Sequence, residues 1–351
     1  MPTSKPFQLM PWLRLLRIPN LPSAVSNILM AYLLVNQTWT PVLPLVLLIV
    51  ASAAMYSAGM ILNDVFDFEI DLEQRPERPI PSGAISKSLA ASVGFTLLIG
   101  GVSIASLCGA SFGAGSSWAW RTGILATILA VCIVLYDGPL KRTVLAPFLM
   151  GGCRTLNILM GASTFVGLGK SEEGIAATGV GTGIEGAGLG MLANNELLGL
   201  PLLVWWIAIA IGGLIAGATL LGRNEAAKAQ NRFSLVFGAL LVTVSLIGLA
   251  GAVYCPSSPL PDAFQISETQ KTIFPMFIGF MSLTILRRVF VAAASMKPAS
   301  IQLGVVSVLR SLIIIDAAIC YLAVPYQITY ALVVLSLLIP TLWLGRIFAS
   351  T

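Results

Sequence analysis

The chain has 351 residues, 57% of them hydrophobic and only 10% charged, with a formal net charge of +5 and a mean hydropathy of +0.90. A soluble chain carries about 25% charged residues, so the composition excludes a water-soluble enzyme and indicates an all-α, polytopic membrane bundle. There is no histidine, which removes His-based metal sites and His general bases, and the five cysteines stand singly without zinc spacing.

Apolar segments lie near 19–35, 42–62, 88–108, 121–136, 144–168, 201–221, 233–254, 272–294, 303–324 and 327–347, each near the ~20 residues that span a bilayer. The fourth is short. The first run follows a basic, proline-containing start and continues into the first span, so no cleavable signal is expected. With the N-terminus inside, fifteen Lys and Arg fall in inner regions and only Arg121, Lys170 and Lys271 in outer ones. That bias fixes the orientation and favours ten crossings. Residues 169–200 read as a flexible Gly-rich outer loop without chemistry, within a single membrane domain over residues 1–351.

Between the second and third segments lies NDVFDFEIDLEQRPERPIPSG, residues 63–83, with six of the fifteen acids. If the preceding helix runs on through Asp71, then Asp64, Asp67 and Asp71 share a stripe roughly 60° wide. Three carboxylates so placed repel one another unless a cation sits among them, and a hard divalent ion with positions open to phosphate suits them. Asn63 is placed to hold a ligand water. Arg75 and Arg78, each before a proline, either grip an anion or pair with Glu73 and Glu77. The prolines and Gly83 end the helix.

The pattern NDxxDxxxD followed by RPxRPIPSG resembles the first aspartate-rich motif of the UbiA superfamily of intramembrane prenyltransferases, with wording close to members that build archaeal-type ether lipids. The divergent bacterial EboC-like branch is similar too. The resemblance implies a bundle of nine transmembrane helices, or ten here. It also implies Mg2+ as cofactor, held by Asp64, Asp67 and Asp71, and a prenyl diphosphate as substrate. In the inner loop after the fourth segment, Tyr136–Arg142 is similar to a family stretch in which a tyrosine lines the pocket and a lysine meets the diphosphate. That assigns Tyr136 and Lys141, against a topological anchor. Asn20, in RIPN at the first helix, falls where the family places polar pocket residues.

Arg154 and Asn157 lie inside the fifth segment, where an arginine costs at least ~2.5 kcal/mol and faces a cavity or a partner. The choices are an acceptor group, the diphosphate, or a structural pairing with Asp316. The family's second aspartate-rich motif should follow the sixth segment. Here the loop reads GRNEAAKAQNR, residues 222–232, with Glu225 its only acid. Arg223 or Lys228 could supply a fixed positive charge in place of a second metal.

The expectation is a magnesium-assisted prenyltransferase that joins a prenyl group to a small polar or aromatic acceptor. It would sit in a bacterial inner membrane with its site facing the cytoplasm, in contact with lipid and not with nucleic acid. The competing expectation is a non-catalytic isoprenoid- or lipid-binding member, which the degraded second motif favours. A transporter fits less well, because the acids gather at one face rather than the midplane.

Overall fold

The computed structural model describes residues 9–112, 118–164, 195–223, 231–255 and 266–349. Short α1 (Leu9–Leu15) and a 3-10 turn (Ile18–Asn20) lead into α2 (Leu21–Asn36), α3 (Val42–Phe66), α4 (Phe68–Gln74) and α5 (Lys87–Phe112). Then come α6 (Arg121–Asp137), α7 (Ala146–Ala162), α8 (Leu202–Gly222) and α9 (Arg232–Ala250). The C-terminal part holds α10 (Glu268–Ser295), α11 (Pro298–Ala323), α12 (Ile328–Ser336) and α13 (Leu338–Ala349).

Among the described residues, eight helical runs of 19 to 28 residues are long and apolar enough to cross a membrane. At 1.5 Å per residue they reach about 28–42 Å, against a hydrocarbon core of about 30 Å. The fourth and fifth predicted segments become α6 and α7, 17 residues each. All ten predicted segments are therefore helical, and the tenth is interrupted at Leu337, between α12 and α13. The chain is an integral membrane protein.

Two local expectations are corrected. The helix of the acidic stretch is not continuous: α3 ends at Phe66, Asp67 takes φ −81° and ψ 0°, and α4 restarts at Phe68. The amide of Asp67 still bonds the Asn63 carbonyl at 3.0 Å, and that of Asp71 bonds the Asp67 carbonyl at 2.9 Å, so the break is a local kink. Second, the end of the outer Gly-rich stretch has regular structure. Glu196–Leu197 pairs antiparallel with Leu200–Pro201 as β1 and β2. Gly199 turns this hairpin with φ +64°, where a Cβ would press on Trp118 and Arg121. The buried Arg121 donates to the carbonyls of Ser163, Leu198 and Gly199, tying the end of α7 to the hairpin.

The core is centred on α2, whose residues Ile28–Val35 are all buried, and which touches α3, α7 and α11. A helix apolar on every side must lie inside a bundle. Lipid tails are as apolar as leucine, so close backbone approach has to supply the attraction between helices. Gly151 of α7 and Gly212 of α8 provide it: a Cβ on Gly151 would stand 2.5 Å from the Gly212 carbonyl oxygen. This obstacle is backbone and cannot rotate away. Gly151→Val should therefore lower stability by about 1–3 kcal/mol, measured as a lower thermal midpoint of the purified protein, while Gly152→Val, with open space around its Cβ position, should not.

Candidate functional site

The acidic motif sits where the C-terminal ends of α3 and α6 meet the chain before α2. Asp64 is buried on the last turns of α3. Two arginines reach it from opposite directions in sequence. Arg17 Nη2 lies 3.1 Å from Asp64 Oδ1, and Arg78 Nη1 lies 3.3 Å from the same oxygen. Arg17 adopts φ +47° and ψ +47°, a left-handed conformation that costs energy for a residue with a Cβ and clusters at functional sites. Arg78 Nη1 also bonds Asp71 Oδ2 at 2.6 Å, so one nitrogen stands between two carboxylates.

Arg78 returns to the helix because the chain after α4 is anchored. The amide of Ser82 bonds the Arg78 carbonyl, and that of Ile85 bonds the Pro79 carbonyl, each at 3.0 Å. Ile80 and Ile85 are buried with Leu15, Ile61, Val65 and Ala90 in a small second core. The prolines that end the helix thus also begin a folded turn that aims Arg78 backwards.

Asp67 leaves this group. Its Oδ2 takes an ion pair from Lys141 Nζ at 2.5 Å, joining the kink after α3 to the α6–α7 loop. Beside it, Asn63 Nδ2 donates to Oδ1 of the buried Asp137 at 2.9 Å. A cavity of about 400 Å³ opens here, with Phe66 and Ile70 as apolar walls and Asp67, Asp137, Lys141 and Arg142 as polar ones. Tyr136 is half-buried and lies within electrostatic reach of Arg17 and Arg223.

Other predicted residues occupy different places. Arg75 is exposed, and neither it nor Arg78 pairs with Glu73 or Glu77. Arg223 donates to the carbonyls of Thr143 at 2.7 Å and Arg142 at 3.2 Å, bracing the α6–α7 loop. Glu225 and Lys228 lie outside the described residues. At the end of that loop, Asn231 caps α9 by accepting from the amides of Phe233 and Ser234.

Deeper in the bundle, Arg154 donates to the Ser23 carbonyl at 2.9 Å and to Asn27 Oδ1 at 2.7 Å. Asn27 Nδ2 in turn donates to Asp316 Oδ2 at 2.8 Å. The expected pairing of Arg154 with Asp316 therefore runs through Asn27. Asn157 bonds Ser52 Oγ and the Ala24 carbonyl, clamping α7 to α3 and α2. Asn20 ends the 3-10 turn and lies beside Tyr56.

Sequence reasoning gave no role to Asp137, to Asn27 or to the Arg17–Asp64 bond. Asp137 was in view beside Tyr136 but carried no spacing signal, and the other two depend on which helices become neighbours.

The family model described as UbiA prenyltransferase family matches residues 24–260. The chain belongs to this family. Digeranylgeranylglyceryl phosphate synthase of Methanoculleus marisnigri is 36% identical over 132 residues, 38% of this chain and 43% of that protein. The Metallosphaera sedula protein of the same name is 32% identical over 133 residues, again 38% and 43%. Over these alignments the chain therefore spans less than half the length of such relatives. That of Methanothermobacter thermautotrophicus is 28% identical over 261 residues, 70% of this chain and 79% of its own. A solved structure concerning digeranylgeranylglyceryl phosphate synthase in membranes superposes with a TM-score of 0.55 at 19% identity, covering 92% of this chain and 99% of the other. This likeness establishes the fold.

UbiA-family prenyltransferases generally use a divalent metal. Among the described residues, no three acidic or cysteine side chains converge closely enough to ligate one ion, because Asp67 is turned towards Lys141. The donors at Asp64 and Asp71 nevertheless suit such an ion. Their carboxylates already share one cationic nitrogen, and hard oxygens of this kind are what Mg2+ takes.

Removing Arg78 would leave two inward-facing carboxylates with only Arg17 beside them. Arg78→Ala should destabilise the protein towards the lower end of the roughly 3–5 kcal/mol lost when a buried pair is broken, whereas Arg75→Ala should be close to neutral. Thermal unfolding of the two variants in one detergent measures the contrast.

Proposed function

We propose that the protein is an intramembrane prenyltransferase that ionises a prenyl diphosphate with Mg2+ and passes the prenyl group to a small polar acceptor. The Asp67–Lys141 ion pair carries this reading, because it unites the two inner segments whose motifs resemble the family's diphosphate machinery. The names of the relatives favour a glyceryl phosphate acceptor over an aromatic ring. The charge distribution favours a site on the cytoplasmic face of the cell membrane; the relatives named are archaeal, so a bacterial membrane gains no support.

A departing diphosphate carries about three negative charges, and fixed positive groups aimed at it lower the barrier. Asp64 and Asp71 would hold the metal, which supplies Lewis-acid charge to the leaving group. Lys141, now on Asp67, lines the cavity with Arg142 and can turn to phosphate oxygens. Arg17 and Arg78 balance the carboxylates and become available to the anion when a divalent ion takes their place. Phe66 and Ile70 exclude water from an allylic cation. Asn63 holds Asp137 in place; a pocket role for the neighbouring Tyr136 rests on the family resemblance alone.

One observation favours a second reading, an isoprenoid-binding protein without turnover: Arg223, a charge of the degenerate loop, is spent on backbone carbonyls. Release of diphosphate from geranylgeranyl diphosphate, with and without Mg2+, separates the two. Asp64→Asn and Asp71→Asn should each reduce metal-dependent release by at least ~100-fold while the protein still inserts. Full release by the double variant, or none by the wild type with any glyceryl phosphate acceptor, would remove the enzymatic reading. Orientation has its own check. Cysteines placed at Gly83 and Gly138 should resist an impermeant thiol reagent in intact cells, and one at the exposed Glu268 should react.

A further inference from the structure

A second cavity, of about 440 Å³, shares no residue with the acidic site. It lies between the last turns of α10 and the first turns of α11, the same end of the bundle as the acidic motif by the alternation of helices. Arg287, Arg288 and Thr284 line it from α10 and Ser300 from α11, with Leu283 and Leu303 as apolar walls. Those two leucines are 67% and 60% exposed, so the cavity opens away from the core onto a strongly apolar surface.

Among the described residues no acid pairs with the arginines here. Arg288 Nη1 makes one 3.3 Å bond to Ser307 Oγ. Arg287 makes no hydrogen bond or ion pair with a described residue. The acids of these two helices are Glu268, at the far end of α10, and Asp316, buried against Ser26 and Asn27. A third guanidinium stands further along α11. Arg310 is exposed, without a partner among the described residues, and stands seven residues beyond Leu303 on the same face of α11. It is twelve residues into the helix, about 18 Å by helical rise, a depth at which an unpaired arginine is costly. Helical side chains lean towards the N-terminus, which for α11 is the cavity end. That end also begins without a side-chain cap on its amides.

We propose that this cavity binds the phosphate of an anionic phospholipid from the inner leaflet, with the acyl chains along Leu283 and Leu303. Three guanidiniums with no acid paired to them among the described residues call for an anion, and Thr284 and Ser300 supply hydroxyl donors to its oxygens. The apolar walls select a phosphate that carries hydrocarbon over a free one. An anionic lipid at this position also supplies a counter-charge for Arg310.

The test uses the purified full chain in detergent, mixed with equal amounts of phosphatidylglycerol and phosphatidylcholine, with retained lipid counted by native mass spectrometry. Phosphatidylglycerol should be retained preferentially. Arg287→Ala combined with Arg310→Gln removes no intramolecular bond, so the fold should survive, and retention should fall roughly 25-fold, about fivefold for each guanidinium. Arg287→Lys with Arg310→Lys should stay within about threefold of wild type. Unchanged retention in the neutral variant overturns the proposal. So does equal loss in the lysine variant at an unchanged thermal midpoint. Displacement of the lipid by millimolar inorganic phosphate would mark a site for free anions and overturn it as well.

Discussion

The structure depends on how carboxylates are compensated at the end of an apolar bundle. Asp64 is buried, Asp71 is buried, and both face one guanidinium nitrogen of Arg78. Charges taken out of water repel strongly unless paired, so the segments that bring Arg17 and Arg78 must fold back onto α3. The left-handed Arg17, the packed Ile80 and Ile85, and the kink at Asp67 all follow from that requirement. The same arrangement is what a diphosphate with its metal would exploit, since cations already gathered around carboxylates can be exchanged for others at modest cost.

A second polar layer lies deeper. Ser26 and Asn27 of α2, Arg154 of α7 and Asp316 of α11 are joined through side chains, with Asn27 touching both charged residues. Asn157 and Ser52 extend it to α3. Hydrogen bonds between helices in lipid are each worth about 0.6 kcal/mol on average, so their main effect here is on register. A helix displaced along its axis by one turn would leave these groups unpaired in a medium without water.

The ten segments were legible because hydrocarbon thickness sets helix length, and the acidic motif because spacing on a helix is periodic. The kink at Asp67 was not, since no glycine or proline marks it; the residue after Phe66 simply turns its carboxylate to Lys141. Arg17 was visible only as part of RIPN, and its role required knowing that the chain before α2 crosses the end of α3. Arg78 was expected to grip an anion or to pair with Glu73 and Glu77, and its partners in the fold are Asp64 and Asp71. Arg223 looked like a free positive charge in the sequence and is held by two carbonyls in the fold. In each of these cases the missing information was which loop lies against which helix end. Local sequence does not encode that.

Arg121 has a consequence for the end of the bundle opposite the acidic motif. By holding the carbonyls of Ser163, Leu198 and Gly199 together, it fixes the end of α7 beside the hairpin that leads into α8. Closing any flexible insertion on fixed anchors costs only about 0.6 kcal/mol more for each doubling of its length, so residues added between Ser163 and Leu198 should cost the bundle little. For the same reason this is the natural place to graft an epitope or a rigid fiducial domain for imaging: the helices on either side are already fastened to each other and would not register the addition.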